Sequence, residues 1–547
     1  MNITVTDANG TAVTVPSGTT VGEVARLLPF FTTENAVLAI IHNDICDFQT
    51  ALYEDVTIRW LPLNTREGFM AYQRSLILLM VRAVNDEFPG ATVKVLHTLG
   101  NALYCELIHT NGRSAGYEDI QRIQRRMRLI QREEPAIKKE FMSKSDCLRY
   151  VRKHGNDFDC KILESLDLPE ITYYQTGKTA DYYFGPMVPD FSYLRYFSLE
   201  LYTPGFLLRY PDWERPRELA TYKEVPKFAK VFLEAKEWGR MLDCSYVSQL
   251  NDHIHDGSIT EIIDLAEALQ EKRRAQMADY VVSQKPAIRL ILVAGPSSAG
   301  KTTFTKRFCT QLKVNGLRPI MLSLDDYFVE RAYTPRLPDG SYDFESIHAI
   351  DVGFFSQQLL ALYAGEEVRL PQFNFLTGTR EWQDKTVRLT PGSPVVVEGL
   401  HALNDDLSRV VPRYEKCKIY LGALTQLAIN DHNRISTSYT RLVRRLVRDH
   451  QFRGHGAERT LEMWDNVRRG EESNIFPFQE DADMIFNSAL LYELPVLKGL
   501  AVPLLEAITP ESPYYYQAHQ LLRFLSPFKV LDASYVPSNS ILKEFIG

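Results

Sequence analysis

The chain has 547 residues, of which 45% are hydrophobic, 24% charged and 11% aromatic, and it carries a formal net charge of −7. At about 100–200 residues per domain this is too long for one ordinary core, and the composition excludes a disordered or collagen-like chain. The acidic balance also excludes a surface that coats nucleic acid over its whole extent, while leaving room for a local basic patch.

Residues 1–62 alternate apolar and polar side chains around the turn signals Asn9-Gly10 and Ser17-Gly18, with a helical stretch from Val21 to Leu28. This order of hairpin, helix and further strands resembles the ubiquitin-like TGS module of threonyl-tRNA synthetases and some GTPases. The chain begins at once with a strand pattern (Ile3, Val5 against Thr4, Thr6) and not with a basic, then apolar leader, so the expected compartment is the cytoplasm. Apolar runs such as Leu76–Val81 are soon broken by charge, which predicts no membrane partner. Seven scattered cysteines without a C-x-x-C pair read as reduced core residues.

Residues 63–225 read as α+β, with a helix over Met70–Phe88, strands near Thr92–Leu96 and Ala102–Ile108, and a helix over Glu118–Arg132. Asp181-Tyr-Tyr-Phe-Gly185-Pro186-Met187-Val-Pro189 and Arg74-Ser75-Leu76-Ile77-Leu78-Leu79-Met80 are similar to the D-x-C-x-G-P-H-V-P and H-S-x-A-H-L-L signatures of the second N-terminal domain of threonyl-tRNA synthetase. The resemblance implies that domain's fold without its chemistry. Arg74, Leu78, Tyr183 and Met187 stand where the family has His, His, Cys and His. Neither Leu nor Met supplies a nitrogen ligand or a proton shuttle. The basic helix with Arg122, Arg125, Arg126, Arg128 and Arg132 reads as half-buried and amphipathic, because Ile and Met interrupt it. Nucleic-acid binding, if any, is expected through this N-terminal half.

Residues 226–283 form a charged helical connector, most regular over Ser258–Val282, and His253-Ile-His255-Asp256 within it reads as a solvated turn. From 284 to 505 apolar runs recur between helical segments: Leu290–Ala294, Pro319–Leu324, Val395–Val397, Ile419–Leu421 and Met484–Phe486. That alternation predicts an α/β domain with a mostly parallel sheet covered on both faces. Residues 506–547 add a helical part near Tyr516–Leu525 and an apolar end, Ile541 to Ile546.

Between the first of these strands and a helix stands Gly295-Pro-Ser297-Ser298-Ala299-Gly300-Lys301-Thr302-Thr303, a complete G-x-x-x-x-G-K-[ST] loop. A strand feeding a glycine-rich turn and a helix aims backbone N–H groups at one point, where a polyphosphate binds. Lys301 is expected on the β and γ phosphates and Thr302 on Mg²⁺, which makes ATP and Mg²⁺ the expected cofactors. Asp325 and Asp326 end the second strand, where a carboxylate can take a proton from an acceptor hydroxyl. Glu398 ends the third, placed to hold Mg²⁺ with Thr302. Arg441, Arg444, Arg445 and Arg448 share a helix face leading through Arg453 to Gly454-His-Gly456, the pattern of a lid that neutralises phosphate charge.

Over roughly 200 residues, the size of one domain, this half resembles the uridine kinase and phosphoribulokinase family. Asp325-Asp326-Tyr327-Phe328 matches D-S-[FY]-Y, so the resemblance selects Asp325 as the base. Asp343-Phe344-Glu345-Ser346-Ile347 stands for N-F-D-H-P and nominates Glu345 for the acceptor hydroxyls. Pro371-Gln-Phe373-Asn-Phe375-Leu-Thr-Gly378-Thr-Arg380 stands for P-x-Y-[DE]-F-x-x-H-x-R, which implies substrate contacts by Phe373, Phe375 and Arg380. Two departures weaken pyrimidine readout: Gly378 replaces a base-contacting His, and Phe373 lacks the usual phenol. The lid pattern R-R-x-x-R-D matches Arg444, Arg445, Arg448 and Asp449. The expectation is a kinase moving the γ-phosphate of ATP to a hydroxyl of a nucleoside or related small molecule, with Lys301, Asp325, Arg444, Arg448 and Arg453 as its catalytic residues. The alternative is an ATP-binding regulatory or RNA-associated protein. A homo-oligomer is left open.

Overall fold

The structure is a computed structural model that describes residues 1–28, 36–154, 157–166, 168–337, 340–425 and 427–547. Strands Asn2–Asp7, Ala12–Pro16, Leu38–Ile41, Asp44–Cys46 and Val56–Leu61 form one five-stranded sheet against the helix Val21–Leu27. Thr20 starts that helix as a capping box with Glu23, satisfying a free first-turn amide. Val5, Val21, Val24 and Ile58 close the small core.

The helix Arg66–Glu87 begins on Thr65, whose hydroxyl accepts from the Gly68 amide at 3.2 Å. Its run Leu76–Val84 is buried against a four-stranded antiparallel sheet of Thr92–Leu99, Ala102–Ile108, Gly205–Arg209 and Ser198–Tyr202. The basic helix, Tyr117–Glu133, turns Ile120, Ile123, Met127 and Ile130 inward. Arg122 pairs with Glu87, Arg126 with Asp86, and Arg128 lies on the Phe197 ring.

The connector is three helices, Pro226–Met241, Val247–Asp256 and Ile259–Ser283, where sequence periodicity singled out one. Asp243 at φ 46° and Gly257 at φ 84° supply the left-handed turns that separate them, a backbone property that side-chain spacing does not encode.

The C-terminal half is built on β1 (Leu290–Ala294), β2 (Ile320–Ser323), β3 (Val395–Glu398), β4 (Lys416–Gly422) and β5 (Met484–Asn487). All pairs are parallel, in the order β2-β3-β1-β4-β5. Every residue of β1 is buried, as a strand covered on both faces requires. Strand order reverses at β1, so a crevice opens at its carboxyl end. The helices that matter to that crevice are α1 (Lys301–Val314), α2 (Thr437–Arg453), α3 (Ala457–Asn474), α4 (Glu493–Glu506), α5 (Tyr515–Leu525) and the short α6 (Lys543–Ile546).

The two halves interlock through the loop before α2. The Val95 amide donates to the Asp431 carbonyl at 2.8 Å, and Asn433 donates to the Tyr182 carbonyl at 3.0 Å. His432 meets Asp181 at 2.6 Å. Among the described residues no helix is long and apolar enough to cross a membrane.

Candidate functional site

The loop between β1 and α1 is held in a shape that suits glycine where glycine occurs. A Cβ on Gly295 would stand 2.5 Å from the Leu421 carbonyl oxygen, and Gly300 has φ 88°. Ser298 takes φ 58°, in the left-handed region a side chain rarely adopts. Lys301 folds back over the loop, donating to the Gly295 and Pro296 carbonyls at 3.0 and 3.3 Å. The first-turn amides of α1 carry the positive end of the helix and attract anions.

Two carboxylates feel the charge of Lys301. Glu398, at the end of β3, is buried, and its Oε1 accepts from Thr302 Oγ1 at 3.2 Å and Ser323 Oγ at 3.1 Å. Burial, then the Asp325 charge, pushes its pKa up to about 7 against the pull of Lys301. Glu345 is likewise pushed up to about 7, by burial and by Glu471, with Arg445 and Lys301 opposing. Gly470 lets Glu345 in, because a side chain there would overlap its Cβ and Cγ.

Asp325 and Asp326 differ sharply. Asp325 is exposed and makes no hydrogen bond or ion pair among the described residues, so its carboxylate is free for chemistry. Asp326 accepts from the Phe373 amide at 3.3 Å and ties the hairpin Val368–Asn374 and Thr379–Val387 to the end of β2. Burial raises its pKa.

The expected arginine lid divides in two. Arg441 pairs with Glu471 at 2.5 Å and donates to the Ser297 carbonyl at 3.1 Å. Arg444 directs its donors to Glu493, Ser488 and the Ser298 carbonyl, five bonds in all. A guanidinium has five N–H groups, so the lid role expected of Arg444 is corrected: it is a fully buried strut that fixes the loop, with no donor left for a phosphate. Arg445, Arg448 and Arg453 instead gather on Asp449, at 3.2, 3.7 and 3.2 Å. Arg445 also donates to Ser297 Oγ at 2.9 Å. Burial and the adjacent Arg453 push Arg448 down to about 10, and its Nε, at ion-pair distance from Asp449, makes no hydrogen bond among the described residues. An anion would relieve that crowding.

Two carboxylates from distant elements occupy amides of the loop and of the first turn of α1. Glu471 of α3 accepts from the Ser297 amide at 2.9 Å, and Glu544 of α6 accepts from the Thr303 amide at 2.9 Å. Ile541 packs on Gly300 beside it. No motif contains either residue, so the sequence carried no signal for them.

On the acceptor side Phe373 is buried against Phe328 and Phe375, and Phe375 is 54% exposed. Arg380 is ion-paired with Asp351 at 2.9 Å and lies over the Phe354 ring. The space at Gly378 is filled by Arg331, whose side chain approaches so closely that a Cβ on Gly378 would be 2.7 Å from Arg331 Cβ. Arg331 donates to the Phe375 and Leu376 carbonyls.

In the N-terminal half the segments with Arg74 and Met187 do meet, Arg74 Nε donating to the Pro186 carbonyl at 3.0 Å, and the other signature positions are core. Leu78, Tyr183 and Met187 are buried in one apolar cluster, and Ser75 Oγ contacts Met187 Sδ at 3.2 Å. His253 Nδ1 meets Ser258 Oγ at 2.6 Å.

Residues 290–492 match the family model "Phosphoribulokinase / Uridine kinase family". A uridine kinase of Deinococcus deserti is 30% identical over 197 residues, which cover 36% of this chain and 86% of that kinase. The N-terminal region matches threonine–tRNA ligases: that of Syntrophotalea carbinolica is 23% identical over 257 residues, 46% of this chain and 38% of the ligase. This chain therefore spans well under half the length of the ligases it matches. Among solved structures, a possible uridine kinase from Bacillus stearothermophilus is matched at 20% identity and a TM-score of 0.28, over 40% of this chain and 98% of that one.

Proposed function

Because the chain belongs to the phosphoribulokinase and uridine kinase family through residues 290–492, we propose that it is an ATP- and Mg²⁺-dependent kinase that phosphorylates a hydroxyl of a nucleoside-like small molecule. The observation that carries this reading is the unpartnered Asp325 carboxylate at the end of β2, whose charge reaches Glu398 and Glu345, the two acids that also feel Lys301. A carboxylate there takes the proton of the acceptor hydroxyl as it attacks, which is worth about 10²–10⁴-fold. The loop amides and Lys301 hold the triphosphate. Arg448 and Arg453 neutralise the charge of the transferring group.

The donor set suits Mg²⁺: a hydroxyl and a carboxylate, hard oxygen ligands, with Glu398 buried and crowded by a second acid until a cation arrives. Thr302 and Glu398 would hold it, and it would supply charge neutralisation on the phosphates. Glu345 has the reach and proton affinity to bind acceptor hydroxyls. The filled space at Gly378 and the missing phenol at Phe373 favour an acceptor recognised without the usual base contacts. The activity resides in the C-terminal half, with the N-terminal half bracing the loop before α2.

A screen of ATP consumption by the purified chain against nucleosides and sugars tests the proposal. Turnover with one acceptor that Asp325→Asn abolishes supports it. ATP binding without turnover on any hydroxyl compound would favour the regulatory alternative, which the carboxylates seated on the loop amides also fit.

A further inference from the structure

The arginines that are buried outright among the described residues, Arg82, Arg274, Arg441, Arg444 and Arg445, each meet a carboxylate. That is what desolvating a guanidinium requires. Arg74 and Arg434 are half-buried, are desolvated with no carboxylate beside them, and both line one cavity of about 870 Å³ between the N-terminal half and the kinase half. Arg74 donates Nε to the Pro186 carbonyl at 3.0 Å and meets no carboxylate. Arg434 makes no side-chain hydrogen bond or ion pair among the described residues. Desolvation lowers the pKa of both, and their supporting neighbours are neutral phenols and a thiol: Tyr439 and Tyr174 for Arg74, Tyr210 and Cys105 for Arg434.

Most of the other cations on the cavity are paired. His432 has Asp181, Arg468 has Glu471 and Glu472, and Arg66 lies 3.6 and 3.7 Å from Asp465 and Glu472. Lys223 is an exposed cation on the same cavity and Glu67, Glu224 and Glu480 are acids on it, so what sets Arg74 and Arg434 apart is that they lie half-buried with no carboxylate partner. Aromatic side chains line the cavity, Tyr439 near Arg74 and Tyr210 near Arg434, with Tyr183, Tyr420 and Trp464 elsewhere on its wall. Rings and guanidiniums together suit a flat, apolar body that carries an anion. The volume falls in the usual range of about 300–1,000 Å³ for small-molecule sites.

We propose that this cavity is a second ligand site, distinct from the phosphate loop, for an aromatic phosphate of nucleoside monophosphate size. A phosphate monoester carries close to two negative charges and three acceptor oxygens, so it suits a guanidinium that no carboxylate meets. The cavity also reaches the phosphate loop from outside the catalytic crevice. Pro296 lines it, and Arg441, another lining residue, donates to the Ser297 carbonyl. An occupant therefore rests against the loop that the kinase uses.

Calorimetric titration of the full chain with UMP and with AMP, without ATP, tests this independently of any turnover. Arg434→Gln, partly exposed and away from the catalytic residues, is the variant, with its melting temperature as the fold control and Arg74→Lys as the second variant. The expected result is that one or both monophosphates bind, and that Arg434→Gln weakens this by about 10- to 100-fold, the worth of a charged hydrogen bond. Retention by Arg74→Lys of more affinity than Arg434→Gln would support a role for charge. Failure of both monophosphates to bind the unmodified chain, or equal affinity in Arg434→Gln, overturns the proposal. Inorganic phosphate binding as tightly as the nucleotides overturns the aromatic part of it.

Discussion

Two places in this molecule are built from segments that resemble a family signature, and they have gone opposite ways. Around Leu78, Tyr183 and Met187 the signature positions have become packing, an apolar cluster in which Leu78 and Met187 have essentially no exposed surface, while Arg74 faces the neighbouring cavity. Around Lys301, Asp325 and Glu398 the polar groups remain, and the fold bears an electrostatic penalty for them. Glu398 and Glu345 are both pushed up to about 7 because their charges are desolvated beside other acids. A core residue lowers the free energy of the fold, whereas a crowded carboxylate raises it. The difference separates polar groups kept at a cost to the fold from signature positions converted to core.

The largest expected effect is at Lys301. Lys301→Ala should reduce phosphoryl transfer to background while the melting temperature changes little, since the ammonium contacts only loop carbonyls. Activity and thermal melting of the same preparation check both halves of the statement. A large fall in melting temperature would erase the contrast between the two regions.

Asp325→Asn should lower transfer by about 10²–10⁴-fold with ATP affinity retained. Asp326→Asn should do less to the chemistry, because Asp326 ties the hairpin at Phe373. A steady-state kcat and KM comparison of the two variants decides the assignment between neighbours that the sequence alone presents as a pair.

Leu78→Ala is the counterpart in the other region. Its side chain is fully buried in the cluster, so truncation should cost about 2–5 kcal/mol of stability. Chemical denaturation reads the loss, and kcat of the folded fraction should be unchanged. A fall in kcat without a loss of stability would mean that the N-terminal cluster serves the reaction directly.

How much of this was legible in the sequence depends on how local each interaction is. The strand, loop and helix at 290–314, the parallel β1 to β5 and the acids at strand ends all follow from adjacent residues. The basic helix at 117–133 was readable from the Ile and Met that interrupt it. What the sequence did not reveal is non-local. Glu471 and Glu544 reach loop amides 174 and 241 residues away. Arg444 looked like its neighbours Arg445 and Arg448 on the same helix, and only its contact with Glu493 on α4 turns it into a strut. Gly378 read as a lost contact, whereas the structure shows Arg331 packed into the space.

A smaller effect is expected at Glu544, which sits on an amide of the helix end that favours anions. Glu544→Gln removes a negative charge beside the site of the triphosphate. ATP affinity should rise by about 2- to 5-fold, the scale of one charge at a helix terminus. Direct nucleotide binding checks it, and weaker binding in the variant would mean that Glu544 supports the loop and does not compete with phosphate.

The smallest effect is set by pH, at the seam between the two regions. His432 meets Asp181 at 2.6 Å, and its pKa lies at about 9, with burial opposing and the Asp181 charge and hydrogen bond, then Asp431 and Asp159, overcoming it. The folded-state value is above the ordinary 6.5 of an unfolded histidine. The imidazolium therefore contributes stability that is fully present below about pH 6.5 and is lost as pH rises through about 9. His432→Asn should lower the melting temperature at pH 6 and converge on the unmodified chain near pH 10. Because His432 lies in the loop that leads into α2 and its arginines, the same series read by ATP turnover shows whether the seam matters to the kinase half. A melting difference that stays constant from pH 6 to 10 would assign the His432 contribution to packing and remove the ion pair from the account of how the halves are joined.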